Sequence, residues 1–343
     1  MASAPIWQTN LHPFIFRRMT HFFATGALLM MLVASVGCAD VQPSTQSQDL
    51  RIPVILDTDI GDDIDDTWAL LMLLKSPQFD VKLITTTNGQ QDYRARLIAK
   101  ILTAAGRTDI PIGLGAGESR QEQKQLPWVQ DFPLSQYTGK VHGEGAAAMV
   151  DTIKSSKEPL TVIAIGPVQT VAAALERDPA IAPMAHYIGM QGSVANPVAE
   201  FNVKSSVASA QKVFSANWKS ATITPLDTCG QPDVSIAGER FQSLKDSNDP
   251  LVKILLENYA IWSKQQDPMK LTKSTTLYDT VAICLADPEG RRRLNLQNLK
   301  LRVTDEGVTK VDDSGAPITA AMSWNDLGGF RDHIISTLLK PKR

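Results

Sequence analysis

The chain has 343 residues, 43% of them apolar and 20% charged, which is typical of a globular protein with a hydrophobic core. A formal net charge of −2, with no stripe of lysine and arginine, argues against a nucleic acid partner. Three cysteines are too few for a disulfide scaffold, and they lack the spacing of zinc ligands.

The first 50 residues have the pattern of an export signal. A pair of arginines precedes "FFATGALLMMLVASVGCAD", an apolar run that has signal-peptide length and is short for a membrane-spanning helix. Within it, "SVGC" resembles a bacterial lipobox with serine where leucine is usual, which predicts a lipid anchor on Cys38; the alternative is ordinary cleavage near Ala39. We predict a signal peptide over residues 1–38 and a flexible leader over residues 39–50. The protein is expected to be exported, either periplasmic or anchored to a bacterial membrane as a lipoprotein.

From Ile52 onward, apolar runs of strand length alternate with helical patterns. The first predicted elements are strand "IPVIL", helix "TWALLMLLKS", strand "VKLITTT", helix "DYRARLIAKILTAAG" with its arginines and lysine outward, and short strand "IPIGLGAG". After a long surface loop over residues 118–140 come helix "HGEGAAAMVDTIKSS", strand "LTVIAIG", helix "PVQTVAAALERD", strand "HYIGM", helix "SSVASAQKVFSAN", strand "SATITPL", hairpin "KLRVTDEGVTKVDD" and helix "GGFRDHIISTLLK". The alternation predicts an α/β fold with an open, mostly parallel twisted sheet and helices on both faces, in a single domain over residues 51–343.

Aspartates crowd the end of the first predicted strand. Six stand within ten residues: Asp57, Asp59, Asp62, Asp63, Asp65 and Asp66. Ligands of a parallel α/β sheet bind at the carboxyl ends of its strands. Asp65 and Asp66 would also suit the first turn of a helix, but helix capping does not explain the other acids. Because packed carboxylates repel one another unless a cation lies among them, we predict a site for Ca²⁺ or Mg²⁺ here.

The segment "VILDTDIGDDIDDTWAL" resembles the opening motif of the nucleoside hydrolases, calcium-dependent enzymes that prefer inosine, uridine or related nucleosides. Similar segments follow in the family's order: "ITTTNGQ", "HGEG", "VIAIGPVQTVAAAL", "IGMQGSV…NPVAEFNV" and "LYDTVAI". They extend from residue 51 to about residue 290. The resemblance implies a Rossmann-like nucleoside hydrolase fold and an N-glycosidase that cleaves ribonucleosides or a related N-riboside. It also implies a homodimer or homotetramer.

The resemblance further implies how a Ca²⁺ ion would be held. The implied ligands are Asp59, Asp66, Asp279 and the main-chain carbonyl of Ile165, with Asp57 as a supporting acid and Asp63 as a candidate ligand. Asp59 would also be the general base, and the ion would bind the ribose hydroxyls and the attacking water. In the commonest family motif the aspartate pair stands four and five residues after the base, whereas Asp65 and Asp66 stand six and seven after Asp59.

Substrate contacts are implied in the same way. They are Asp65, Gln90, Met190, Asn196, Glu200 and Asn202 for the ribose, and His142 in "HGEG" for the base pocket. Tyr278 stands where many family members carry a histidine that protonates the departing base. A phenol, with a pKa near 10, is a weaker acid at neutral pH but still donates a hydrogen bond.

Two alternative functions stay open. An exported ribose- or nucleoside-binding protein without turnover is compatible with Tyr278, although retention of Asp59 argues against it. A Mg²⁺-dependent phosphatase of the haloacid-dehalogenase type fits "DTDIG" in part, while the later segments of the chain fit that class poorly.

Overall fold

A ten-stranded sheet runs through residues 51–118 and 121–341, the part of the chain that the computed structural model describes. Its strands are β1 (Ile52–Thr58), β2 (Phe79–Thr86), β3 (Ile112–Gly113), β4 (Val141–His142), β5 (Leu160–Ala164), β6 (Ala185–Gly189), β7 (Ser220–Ile223), β8 (Leu294–Val303), β9 (Thr309–Val311) and β10 (Ala316–Trp324). The predicted signal peptide with Cys38 and the predicted leader lie outside the described residues.

The strand order is β4-β3-β2-β1-β5-β6-β7-β10-β8-β9. The strands from β4 to β10 in this order pair in parallel, and β8 and β9 add an antiparallel edge. The predicted open, mostly parallel α/β sheet is therefore confirmed.

Helices cover both faces of the sheet, as predicted. They are α1 (Asp65–Lys75), α2 (Gln91–Ala105), α3 (Leu126–Val129), α4 (Gly145–Ser155), α5 (Gln169–Arg177), α6 (Phe201–Lys204), α7 (Val207–Ser215), α8 (Leu226–Cys229), α9 (Gly238–Lys245), α10 (Pro250–Trp262), α11 (Tyr278–Ala286), α12 (Pro288–Arg291) and α13 (Leu327–Leu338). Short 3₁₀ turns lie at Leu134–Gln136, Pro179–Met184 and Pro268–Lys270. None of these described helices is both long and apolar enough to cross a bilayer.

Strand β1 is buried on both faces. Val54 and Leu56 pack into one hydrophobic cluster, and Ile55 between them packs into the other. Alternate side chains of a strand point to opposite faces, so an uninterrupted apolar run is what a strand between two helical layers requires.

The strand order reverses at β1, and this reversal positions the site. Strands β2, β3 and β4 lie on one side of β1, while β5, β6 and β7 lie on the other. The loops that leave β1 and β5 therefore diverge and open a crevice at the carboxyl ends of the strands. Asp59 follows β1, and Ile165 follows β5, at this crevice.

Three local predictions need correction. The segment over residues 118–140 is not only a surface loop, because it contains α3, where Trp128 packs into the core. The predicted helix at His142 begins instead at Gly145, since His142 belongs to β4 and pairs with β3. Strand β10 was not predicted; it lies between β7 and the hairpin formed by β8 and β9.

Candidate active site

A cavity of about 380 Å³ opens at the crevice beside β1. Its acidic lining consists of Asp59, Asp62, Asp63, Asp65, Asp66, Glu200 and Asp279. Four other residues singled out in the sequence also line it: Ile165, Met190, Asn202 and Tyr278. The structure therefore brings together residues that are more than 200 positions apart in the chain, from Asp59 to Asp279.

Three carboxylates converge in this cavity. Asp65 and Asp66 begin α1, and Asp279 is the second residue of α11, which packs against α1. One carboxylate oxygen of each lies within 4.8 Å of the others, and all three residues are buried. The backbone N–H of Asp279 donates to Asp65 at 3.4 Å, and the hydroxyl of Thr58 donates to Asp66.

The electrostatics of the three acids fit a hard cation. Burial, followed by repulsion from Asp63, raises the pKa of Asp65 to about 7. Burial and repulsion from neighbouring aspartates also raise the pKa values of Asp66 and Asp279. A divalent cation would remove this repulsion and favour the ionised carboxylates, and oxygen ligands are those that Ca²⁺ and Mg²⁺ prefer. The structure therefore contains an acidic cluster suited to a metal, and it includes Asp65, which the sequence assigned to the ribose.

Asp59 lines the same cavity, but its carboxylate is not part of the converging group. The side-chain amide of Asn88 donates to Asp59 Oδ2 at 3.2 Å, and Gly166 lies against Oδ1 so closely that a Cβ there would come within 2.5 Å. Burial raises the pKa of Asp59 to about 7, although the Arg94 guanidinium opposes the shift. A carboxylate that titrates near neutrality suits a general base. Its role as a metal ligand stays a prediction.

The other two predicted metal-site acids have different environments. Asp57 is fully buried and is not part of the cavity lining; its Oδ1 accepts a hydrogen bond from Thr85 at 2.6 Å, and Oδ2 has no partner among the described residues. Burial raises the pKa of Asp57. The role of Asp57 as a supporting acid stays a prediction. Asp63 is exposed at the cavity and stays a candidate ligand.

Glu200 and Asn202 hold the wall that follows β6. Glu200 caps α6 by accepting from the backbone N–H of Asn202 at 2.7 Å, and it also accepts from Gly192 at 3.0 Å. The amide of Asn202 donates to the carbonyls of Ile165 at 3.1 Å and Met190 at 3.0 Å. Both residues therefore fix the cavity wall as well as lining it.

Three predicted substrate contacts lie off the cavity lining. Asn196 is exposed, and its carbonyl accepts from Ser193 at 2.5 Å. The side-chain amide of Gln90 donates a hydrogen bond to the main-chain carbonyl of Gln121 at 2.8 Å. His142 lies on β4, three strands from β1, where burial and Lys140 lower the pKa of its imidazole. Their substrate roles stay predictions.

Tyr278 lines the cavity together with four residues that the sequence did not single out. Tyr278 is half-buried at the start of α11, and burial raises the pKa of its phenol. Phe201, Leu226, Gln121 and Lys124 complete the lining, and the ammonium of Lys124 lies 5.1 Å from the ring centre of Trp262. Nothing in the sequence distinguishes Lys124, in a polar stretch, or Phe201, after a capping acid, from ordinary surface residues.

Arg94 was predicted to face outward, which is wrong. It is fully buried, and its guanidinium donates to Asp62 Oδ2 at 2.8 Å. A charged residue on an amphipathic helix ordinarily marks the solvent face. The loop of aspartates, however, folds back over the start of α2 and provides acceptors there.

The sequence matches the family model described as inosine-uridine preferring nucleoside hydrolase over residues 54–327. The chain belongs to the nucleoside hydrolase family. Membership makes this nucleoside hydrolase a glycosidase that cleaves the N-glycosidic bond of ribonucleosides, and it gives no support to the phosphatase alternative.

Individual relatives agree with this assignment. This nucleoside hydrolase is 28% identical over 240 residues to the pyrimidine-specific ribonucleoside hydrolase RihA of Salmonella schwarzengrund. The match covers 63% of this chain and 74% of RihA. The plant nucleoside hydrolase PpNRh1 has a similar structure, with a TM-score of 0.69 and 20% identity over 84% of this chain and 99% of that one. The inosine-uridine preferring nucleoside hydrolase of Bacillus anthracis also has a similar structure, with a TM-score of 0.68 and 18% sequence identity. The match covers 84% of this chain and 100% of that one. The two structural likenesses concern the fold.

Proposed function

We propose that the chain hydrolyses ribonucleosides with Asp59 as general base and a Ca²⁺ ion at the converging carboxylates. The observation that carries the proposal is the convergence of three buried carboxylates beside Asp59 in one cavity. The residues that would hold the ion are Asp65, Asp66, Asp279 and the carbonyl of Ile165, with Asp59 as a further candidate ligand. When bound, the ion would orient the ribose hydroxyls and polarise the attacking water.

Asp59 would receive a proton from the attacking water. The Asn88 amide occupies one of its carboxylate oxygens, so the orientation of the carboxyl group is fixed before substrate arrives. A general base fixed in this way within reach of a water contributes about 10²- to 10⁴-fold to the rate. Cleavage passes through a ribose ring with oxocarbenium character, which the surrounding carboxylates would also stabilise.

Asn202 would orient the ribose. Its amide nitrogen is committed to the carbonyls of Ile165 and Met190. Because Asn202 lines the cavity, its carbonyl oxygen would accept a hydrogen bond from a ribose hydroxyl. Met190 also lines the cavity, and we expect both residues to contact the sugar, as the family resemblance implies.

Tyr278 would serve the departing base by hydrogen bonding. Its pKa is raised by burial, so the phenol stays protonated at neutral pH and transfers its proton reluctantly. It donates a hydrogen bond to a base that accumulates negative charge as the bond breaks. The relative RihA is named as pyrimidine-specific, and pyrimidine ribonucleosides are therefore the first substrates to test.

The test is ribose release from a panel of nucleosides, with calcium and after chelation, by the wild type and by Asp59→Asn. We expect calcium-dependent release that falls by about 10²- to 10⁴-fold in the variant. Asp131→Asn is the control, since Asp131 is exposed and outside the cavity lining. Calcium-dependent binding of nucleosides without release would instead favour the binding-protein alternative.

Export is a separate part of the proposal. It is supported by the apolar run of residues 22–40 and by "SVGC" ending at Cys38. Mass spectrometry of the protein from membrane and periplasmic fractions distinguishes lipidation at Cys38 from cleavage near Ala39. A homodimer or homotetramer remains the expectation for the assembly, and sedimentation measures it directly.

A further inference from the structure

Two loops meet behind the general base. One is the acid loop, residues 59–64, between β1 and α1; the other is the asparagine loop, residues 87–90, between β2 and α2. Arg94, in the first turn of α2, is fully buried between them.

A single guanidinium bonds to the main chain of both loops. Its Nη1 donates to the carbonyls of Asp59 and Ile60, the latter at 3.0 Å. Its Nη2 donates to the carbonyl of Asn88 at 3.2 Å, and its Nε donates to that of Gly89 at 2.8 Å. The planar fork of an arginine can satisfy several acceptors at fixed angles, which a lysine ammonium cannot do in the same geometry.

The backbone of the acid loop is shaped to reach this guanidinium. Gly61 has φ +114, a conformation that L side chains rarely adopt, and a Cβ there would lie 2.6 Å from the ring of Tyr93. Past this turn, the Asp62 carboxylate pairs with Arg94 Nη2 at 2.8 Å. Removing a guanidinium from water is costly unless charge and hydrogen bonds compensate for it, and here both do.

The contacts of Arg94 converge on one catalytic group. The guanidinium donates directly to the main chain of Asp59 and to the main chain of Asn88. The side chain of Asn88 in turn donates to the Asp59 carboxylate at 3.2 Å. We propose that Arg94 is a positioning residue: it joins the acid loop to the asparagine loop so that Asn88 keeps the Asp59 carboxylate oriented toward the cavity. Arg94 itself is not part of the cavity lining and touches no reacting atom. The inference rests on the proposed function, in which Asp59 is the general base.

The experiment compares Arg94→Met, Arg94→Lys and Asp62→Asn with the wild type. Arg107→Met is the matched control, because that guanidinium, just beyond the other end of α2, pairs with Asp109 at 2.9 Å at the surface. Hydrogen exchange of the two loops, calcium affinity and stoichiometry, kcat and KM are measured on each protein. Calcium stoichiometry reports the fraction of competent sites, so a drop in kcat is not confused with loss of folded protein.

For Arg94→Met we expect faster exchange in both loops together and kcat lower by about 100-fold, with KM changed by less than about threefold. Calcium affinity falls by about 10-fold at a stoichiometry like that of the wild type. Arg94→Lys recovers part of kcat, and Asp62→Asn has a smaller effect because four main-chain bonds remain.

Unchanged exchange in either loop, or a wild-type kcat in Arg94→Met with only a lower melting temperature, would overturn the inference. Failure of the proposed function gives a different result. If the wild-type chain releases ribose from no nucleoside, the general-base assignment falls, while the exchange comparison, which needs neither metal nor substrate, still decides whether Arg94 joins the two loops.

Discussion

At the residue scale, Asp279 tests whether the converging carboxylates act together. It lies more than 200 positions from Asp66 in the chain, yet their carboxylate oxygens lie within 4.8 Å. Asp279→Asn removes a negative charge from the cluster, and we expect calcium affinity, measured by titration calorimetry, to fall by about 100-fold. Asp131→Asn should leave it unchanged. Equal affinities in the two variants would place the calcium site elsewhere.

We expect Tyr278 to determine how the departing base is assisted. Its pKa is raised by burial, whereas a histidine at the same place would titrate near neutrality and could transfer a proton. We expect Tyr278→His to raise kcat for inosine by about 10-fold or more, with a smaller change for uridine. Steady-state kinetics on both nucleosides measures this. A uniform loss on both substrates would show that the phenol packs rather than serves the departing base.

Site residues could be recognised from the sequence where like charges cluster. They could not be recognised where a common residue type gains its role only from its position in the fold. Crowded aspartates after a buried strand indicate a cation from electrostatics alone, whereas Asp279 was implied only by the family resemblance. The structure brings Asp65, Asp66 and Asp279 together. Asn88 and Arg94 were missed because asparagine in a turn and arginine on a helix are ordinary. The loop geometry that gives them partners exists only after β1 and β2 have paired.

At the element scale, the end of β5 leaves room for the Asp59 carboxylate. Gly166 follows β5, and a Cβ there would come within 2.5 Å of Asp59 Oδ1. We expect Gly166→Ala to displace the carboxylate and lower kcat by about 100-fold.

Gly328→Ala is the matched control for that change, because its added Cβ would meet Asp326 at an ordinary 3.6 Å. Kinetics and calcium titration on both variants make the comparison. A wild-type kcat in Gly166→Ala would mean that Asp59 does not need its observed position.

Elements were predictable where hydrophobic periodicity was unbroken. Strand β1, buried on both faces, and the amphipathic α2 follow from their patterns. Strand β10 was missed since its burial does not alternate regularly: Ala320 and Ala321 are both buried, and the register shifts between Ala321 and Ser323. Helix α3 was hidden by its proline, which is tolerated in the first turn of a helix.

At the scale of the whole molecule, the buried acids couple stability to pH. Without metal, the pKa values of Asp59 and Asp65 are raised to about 7, while unfolded aspartates titrate near 4. Between these values the folded chain binds more protons than the unfolded chain, so the free energy of unfolding decreases as pH rises. The metal-free protein should therefore melt at a lower temperature at about pH 7.5 than at about pH 5.

Calcium should reverse this pH dependence, because it binds the deprotonated carboxylates. At a free concentration of about 100 times Kd, the ion adds about 2.7 kcal/mol to the free energy of unfolding. Thermal melts at the two pH values, with calcium and with chelator, measure both effects. A metal-free protein that is most stable at the higher pH would contradict the assignment of raised pKa values.

The most direct test of the account is ribose release by metal-stripped protein as calcium is added back. We expect no release without metal, then activity that rises in proportion to bound calcium and saturates at one ion per chain. Full activity in the metal-free protein would contradict this expectation, because the converging carboxylates of Asp65, Asp66 and Asp279 would then have no part in cleavage.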